Sequence, residues 1–249
     1  MSSPEKALNI RISTHERFSK YEINDWILST INLSSKERVL DIGCGNGKQL
    51  IPYSREIGPD GHALGLDISD ELLDEAKRKA KDSGVKVELR RCGMEDLASC
   101  LDGKIFDVIS SCFALYYSKD YVKTMNDIWN LLEDGGRCFI CGPTQGNNLE
   151  LAELHTRVTE LPPAFVEHTR FMEEEALPAF RNISENIETS IFRNPIEFPD
   201  KSSLLDYWKS YTLFNDDARL RFEELVDQIF ESDGTFTTQK VVLGILVSK

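Results

Sequence analysis

Val39-Leu40-Asp41-Ile42-Gly43-Cys44-Gly45-Asn46-Gly47 carries the strongest structural signal in the chain. Together with Arg38, its first half is a short apolar run ended by glycines, which reads as a buried strand. Its second half places glycine at every second position. Those glycines remove the Cβ atoms that would keep a ligand off the backbone. Gln49 to Ile57 then reads as a helix stopped by Gly58-Pro59, so the helix start points its free N–H groups into the space above the strand. A tight turn without chemical meaning is the competing reading. Two features of the context oppose it. The loop joins a strand to a helix, and Asp67 ends the next strand, His62 to Asp67, 20 residues beyond Gly47. A carboxylate in that place accepts both hydroxyls of a ribose.

Two cofactor classes share this geometry. A dinucleotide needs room for a pyrophosphate and typically shows G-x-G-x-x-G. Here the spacing is G-x-G-x-G, and Asp41 stands at the loop entrance. A fixed anion is a poor neighbour for a pyrophosphate and a good one for an ammonium or sulfonium group. The pattern favours S-adenosyl-L-methionine over a nicotinamide dinucleotide.

Working outward, strand and helix signals alternate from about residue 38 to 142. After the second strand, Ser69 fits an N-cap, with Asp70 and Glu71 in the first turn. Leu72, Leu73, Ala76 and Ala80 share one face of that helix, which Gly84 ends. Val85 to Leu89 and Phe106 to Ser110 read as the third and fourth strands. A helix from Lys119 to Leu132 turns Val122, Met125, Trp129 and Leu132 inward, and Arg137 to Cys141 is the fifth strand. This order requires right-handed crossovers and a parallel sheet covered on both faces. Residues 147–180 look helical, broken by Pro162-Pro163 and Pro178. Ile187 to Phe198 carries a strand signal, Ser202 to Tyr211 and Asp216 to Phe230 helical ones, and Phe236 to Val247 reads as a last long strand. The expected fold is α/β: a Rossmann-like, doubly wound, mostly parallel seven-stranded sheet with an antiparallel last strand and a helical cap inserted in the C-terminal half. The expected organisation is one domain over 1–249. It consists of a lid segment (1–34), a cofactor-binding core (35–142), cap helices with the sixth strand (143–235) and the last strand (236–249).

With these residues in place, the sequence resembles the class I S-adenosylmethionine-dependent methyltransferases. The matching residues are Val39 to Gly47, Gly65-Leu66-Asp67-Ile68-Ser69, Phe106 to Ser110 and Leu131 to Gly136. The resemblance runs in register over about residues 15–142, plus the closing strand, and is specific for the superfamily but not for a substrate. It implies that Asp41, Gly43, Cys44, Gly45, Asn46 and Gly47 hold the methionine part of the cofactor. Asp67 would hold the ribose and Ile68 would pack on the adenine. The turn Cys92-Gly93-Met94-Glu95-Asp96 would meet the adenine edge. Many relatives carry an aspartate where this chain has Gly93, so either Glu95 or Asp96 takes over or Met94 makes backbone and apolar contact. The family places the methyl acceptor beyond the fourth strand, as switch-point geometry also implies. Ser111 and Cys112 would flank the cofactor there. Tyr116 and Tyr117 line the acceptor pocket or pack as ordinary core.

A segment such as His15 to Tyr21 closes over the cofactor in relatives, with Arg17 or Lys20 on its carboxylate and Tyr21 over the methyl. The bland reading of that segment is a solvated helix. Gln145, Asn147 and Asn148 are candidate acceptor contacts. His155 is a candidate general base, since its ordinary pKa suits proton removal near neutrality, and a surface histidine is the alternative. Trp208 and Tyr211 roof the pocket or belong to the core. His155, Tyr117 and Tyr21 are therefore the candidate catalytic residues. A catalytic base is not required, because the cofactor supplies the activated carbon.

The 249 residues are 41 % hydrophobic and 29 % charged, which gives enough apolar side chains for a real core. The net charge of −13 repels polyanions and disfavours nucleic acid as a partner. No apolar run has the length of a membrane span, and Met1 to Lys6 shows no apolar leader, so the expected compartment is the cytoplasm. Six cysteines then read as free thiols, and the Cys138/Cys141 pair as part of a buried strand. The four histidines show no ligand spacing, so no metal is expected. The expected function is methyl transfer to a small-molecule acceptor by in-line displacement. The alternatives are a non-catalytic S-adenosylmethionine-binding sensor or partner subunit, a methyltransferase acting on tRNA or protein, and a nicotinamide-dependent enzyme.

Overall fold

The computed structural model describes residues 4–249, with side chains from Lys6 onward. The reading of Met1-Ser2-Ser3 as part of a leaderless start lies outside the described residues. The helices, in chain order, are α1 (Pro4–Phe18), α2 (Ile23–Ile31), α3 (Leu50–Ile57), α4 (Asp70–Asp82), α5 (Leu97–Leu101), α6 (Tyr121–Leu131), α7 (Leu149–Thr156), α8 (Pro163–Phe171), α9 (Leu177–Arg181), α10 (Lys201–Lys209) and α11 (Arg219–Asp233). The strands are β1 (Arg38–Ile42), β2 (His62–Asp67), β3 (Glu88–Arg91), β4 (Phe106–Cys112), β5 (Leu132–Pro143), β6 (Ile187–Phe198) and β7 (Phe236–Ser248).

The chain divides into two compact units. The sheet unit comprises Ile23–Gly142, Phe171–Ile191 and Leu243–Lys249, and contains a stretch of every strand. Strand order is β3-β2-β1-β4-β5-β7-β6. β1 pairs in parallel with β2 and β4, β2 with β3, and β4 with β5. β7 reverses direction against β5: Lys249 N donates to Gly136 O at 2.9 Å, and Gly135 N donates to Lys249 O at 3.2 Å. This is the mostly parallel, Rossmann-like sheet expected from the sequence. Leu40, Leu64, Ile109 and Ile140 sit in one apolar cluster with α5, α6 and α9 side chains. Central strands of a parallel sheet are buried on both faces, which is why β1 and β4 read as continuous apolar runs.

The local signals act where the sequence puts them, with three shifts. Ser69 Oγ accepts from Leu72 N at 3.3 Å and starts α4, whose Leu73, Ala76 and Ala80 are buried. β3 begins at Glu88 rather than Val85, because the Lys86 carbonyl is taken by Ser54 Oγ (2.7 Å) and not by a strand ladder. α6 begins at Tyr121, behind the side-chain cap of Asp120 on Lys123 N. Its buried face is Thr124, Met125, Ile128 and Leu131, so Val122 points outward and Leu132 opens β5. β5 starts five residues earlier than Arg137, since the β4 ladder slips between Phe106–Leu132 and Val108–Arg137. Gly135 absorbs that bulge at φ +80°, a conformation costly for any side chain.

The second unit contains residues up to Glu22, with Pro143–Arg170 and Phe192–Val242. Its core is aromatic. Trp208 stacks on Phe222 with centroids 4.1 Å apart and planes at 16°, and Tyr207 packs on Phe198 at 5.2 Å. α1 shows no clean apolar stripe in the sequence, since Asn9, Ser13 and Thr14 interrupt it. Arg11 nevertheless ties it to this unit by donating to the Ser210 carbonyl and lying over the Tyr211 ring. Trp208 is fully buried and belongs to the core, one of the two roles expected for it. Trp208→Ala is expected to cost about 3–5 kcal/mol of stability, read as a lower urea midpoint.

Candidate active site

The carboxyl ends of β1, β2 and β4 form the candidate site within the sheet unit. In register, Asp41 stands level with Gly65 of β2 and Ser110 of β4. Past this level the chain turns sharply. Gly43 N and Cys44 N donate to Leu66 O at 2.8 and 2.9 Å, folding the loop back onto β2. Gly43, Gly45 and Gly47 all take positive φ. A Cβ on Gly43 would meet Ala114 Cβ at 2.4 Å, so the loop after β4 closes against the loop after β1 with no room for a side chain.

Asp67 fixes this loop. One carboxylate oxygen accepts from Gly45 N (2.9 Å) and the other from Ser69 N (2.9 Å). Two backbone donors leave further lone pairs on a carboxylate that accepts about four bonds. Ile68, the next residue, is 69 % exposed despite being apolar.

Asp41 differs in kind. It is 1 % exposed; Ser110 Oγ donates to Oδ1 at 2.6 Å, and Oδ2 has no partner. Burial pushes its pKa up to about 7; the Ser110 hydrogen bond opposes the rise and the Asp67 charge adds to it. An unpartnered buried acceptor beside a backbone cradle suits a ligand with a cationic group and a diol. Asn46 is buried, with its side chain donating to Glu75 Oε1 at 3.2 Å. Cys44 is buried, and burial together with Asp41 and Asp67 pushes its thiol up, so it lines the loop as an inert thiol.

The turn after β3 approaches the same place. A Cβ on Gly93 would lie 3.4 Å from Asp96 Oδ2, 3.7 Å from Glu95 Oε2 and 3.9 Å from Ile68 Cγ2. Glu95 Oε1 is engaged, accepting from Lys119 N (2.8 Å) and Ser118 Oγ (3.2 Å), and these bonds hold its carboxyl below the usual range. Met94 Cε would be 3.3 Å from a Cβ on Gly43. One expectation is corrected here. Cys92 and Cys100 are not free thiols but are joined by a disulfide; a pairing eight residues apart within one turn carries no mark in the sequence. Cys44, Cys112, Cys138 and Cys141 are unbonded and buried.

At the end of β4, Ser111 is buried with Oγ unpartnered, and Cys112 Sγ lies 3.6 Å from Tyr53 Oη. Phe113 was missed in the sequence. It takes φ +58°, rare for a bulky residue, while its N–H donates to Cys141 O at 2.8 Å. Such strain persists where the surroundings over-determine it, often beside a functional crevice. Tyr116 and Tyr117 follow, with ring centroids 4.6 Å apart, and Tyr117 is 58 % exposed. Phe171 stands edge-on to Tyr116 and Tyr121.

The other candidate residues belong to the second unit. His155 is fully buried against Trp208 and Phe222, and its Nδ1 accepts from Trp208 Nε1 at 3.2 Å. Burial lowers its pKa, so it is neutral with its basic nitrogen engaged. Its other ring nitrogen, Nε2, is buried without a hydrogen-bond partner. Tyr21 is half exposed; Asn194 accepts from Tyr21 N and donates to Tyr21 O. Asn147 and Asn148 are buried, and Asn147 Oδ1 accepts from Val241 N. Among the described residues, no group of His, Cys, Asp or Glu is placed to hold a metal ion, and no helix is long and apolar enough to cross a membrane.

A methyltransferase domain family model matches residues 33–198. A ubiquinone/menaquinone biosynthesis C-methyltransferase of Vibrio vulnificus is 30% identical over 155 residues, 56% of this chain and 59% of its own. An aklanonic acid methyltransferase of Streptomyces is 29% identical over 107 residues, 43% of this chain and 48% of its own. The chain thus spans about half the length of these curated relatives. The crystal structure of a SAM dependent methyltransferase from Aquifex aeolicus superposes at TM-score 0.58 with 14% identity, covering 100% of this chain and 99% of the other, and shares the fold.

The Asp41 environment sets a pH dependence. Its folded pKa of about 7 lies above the unfolded carboxylate value, so the folded state keeps a proton the unfolded chain releases. Stability without ligand should therefore fall as pH rises from about 4 to about 7, by at most about 1.4 kcal/mol per pH unit from this group. Urea unfolding of the wild type and Asp41→Asn across that window checks this: the variant should lack this component of the slope.

Proposed function

The chain belongs to the methyltransferase domain family, and from that premise we propose that it transfers a methyl group from S-adenosyl-L-methionine to a small organic acceptor. One observation carries the reading: a buried carboxylate, Asp41, with an oxygen lacking a partner beside a glycine loop. A dinucleotide pyrophosphate would meet repulsion there, whereas an ammonium or sulfonium group meets attraction.

When bound, the cofactor supplies a methyl carbon already activated by its sulfonium. The chain's own residues bind and orient. Asp41 Oδ2 receives the cationic part, and the loop Gly43, Cys44, Gly45, Asn46 and Gly47 lines the methionine portion. Asp67 uses its remaining lone pairs on the ribose hydroxyls while it keeps Gly45 and Ser69 in place. Ile68 and Met94 offer apolar surface to the adenine, and Glu95 braces the turn beneath it. Ser111 and Cys112 close the floor and keep water out. Tyr117, with Tyr116 behind it, offers an aromatic face to a small, largely apolar acceptor. Placing that acceptor in line with the methyl in a dry site supplies much of the acceleration. His155 has no part in proton transfer, since its basic nitrogen is occupied. Two relatives, one named for quinone biosynthesis and one for aklanonic acid, support a small-molecule acceptor.

Calorimetry with S-adenosylmethionine and its demethylated product should show binding of both; no binding at millimolar ligand would overturn the reading. Asp67→Ala should weaken binding by about 1.5–3 kcal/mol, the worth of a charge-assisted hydrogen bond. Labelled cofactor incubated with a metabolite extract, followed by mass spectrometry, should yield one labelled small molecule. With that acceptor in hand, Tyr117→Ala should raise its KM several-fold while the cofactor Kd stays put.

A further inference from the structure

The disulfide between Cys92 and Cys100 closes a segment that reaches three margins of the crevice at once. Cys92 N donates to Asp67 O at 3.0 Å, so the segment begins on the strand that ends in the ribose acceptor. Its Met94 lies against the glycine loop, and its Glu95 accepts from Lys119 N and Ser118 Oγ on the loop after β4. Within the segment, Asp96 N donates to Gly93 O at 3.1 Å and Ser99 Oγ to Asp96 O at 2.8 Å. The single turn Met94–Asp96 and the five-residue α5 both lack a side-chain cap, and helices this short do not persist alone. Leu97 and Leu101 are buried and anchor α5, while Lys123 Nζ donates to Glu95 O at 2.8 Å across the turn. The covalent bridge, together with Arg90 donating to the Cys100 carbonyl, joins the start of the turn to the end of α5. Cys92 is buried and Cys100 half-buried, so Cys100 is the more accessible of the two residues to a thiol from solvent.

We propose that Cys92–Cys100 is a dithiol–disulfide switch that sets the affinity of the crevice for its adenosyl ligand. This rests on the reading of Ile68, Gly93 and Met94 as the adenine margin. In the oxidised state the turn is held ready for the ligand. In the reduced state it opens locally and affinity falls, while the sheet stays folded. The reductant is a dithiol of the thioredoxin class. Its thiolate attacks Cys100 Sγ, the protein S–S bond breaks, and Cys92 leaves as a thiolate that takes a proton. The second thiol of the reductant then displaces Cys100, which takes the other proton. Two electrons and two protons pass to the protein, and the reductant ends as its own disulfide. Cys92 Sγ lies 3.3 Å from Gly93 O, placing the freed thiol as a weak donor to the turn itself.

The test titrates S-adenosylmethionine into oxidised wild type, dithiol-reduced wild type, Cys100→Ser and Asp67→Ala, with hydrogen exchange followed over residues 92–101. Reduced protein and Cys100→Ser should both bind about tenfold more weakly and exchange faster in that segment, since a local opening now competes with binding. Reoxidation should restore the wild type and not Cys100→Ser. Equal affinity in both redox states overturns the switch and leaves the bridge a structural staple. So does a thiol titration that finds no bridge under oxidising conditions. Asp67→Ala separates the two readings. If it binds weakly in both states while reduction has no effect, the crevice stands and the switch falls. If it binds like wild type, the assignment of the crevice falls and takes the switch with it.

Discussion

A carboxylate sealed from water with one oxygen lacking a partner is the constraint around which the sheet's carboxyl end is arranged. Asp41 reaches that state because β1 is central, so its last residues are covered by β2 on one side and β4 on the other. Ser110 satisfies one oxygen at 2.6 Å and nothing satisfies the second. Leaving a buried acceptor without a partner costs about 1–3 kcal/mol, more for a charged one. The apo protein relieves part of this by holding a proton near neutrality. On the proposed reading, the ligand's cationic group supplies the partner that Asp41 Oδ2 lacks.

Asp67 completes the arrangement by a different route. It is partly open to solvent and spends one bond from each oxygen on the backbone, at Gly45 and Ser69. Through those two bonds a side chain at the end of β2 fixes both the loop after β1 and the start of α4. The loop can then approach Ala114 without intervening side chains, and the strained Phe113 beside it is held by the Cys141 carbonyl. On the proposed reading, binding groups and scaffold are the same atoms, so a single substitution at Asp67 is expected to act on both.

What was legible in the sequence is what is local. A strand ended by alternating glycines, an N-cap at Ser69 and an acidic residue at the end of the second strand each depend on near neighbours, and each is where the pattern placed it. What was not legible depends on distant partners. The isolation of Asp41 needs Ser110 from another strand. The positive φ of Phe113 is held by the Cys141 carbonyl of β5, and nothing in Cys112-Phe113-Ala114 announces it. The burial of His155 needs Trp208 and Phe222, brought to it by α10 and α11. The Cys92–Cys100 bridge depends on α5 folding back on the turn, a closure that spacing alone does not reveal.

The most direct test of the account counts protons. Titrating S-adenosylmethionine near pH 7 in two buffers of different ionisation heat gives the protons released per ligand bound. Because a bound cation drives Asp41 to its ionised form, wild type should release a substantial fraction of a proton more than Asp41→Asn, and this excess should fade well above the Asp41 pKa of about 7. Identical proton release from wild type and Asp41→Asn at neutral pH would contradict the claim that this buried carboxylate receives the ligand's positive charge.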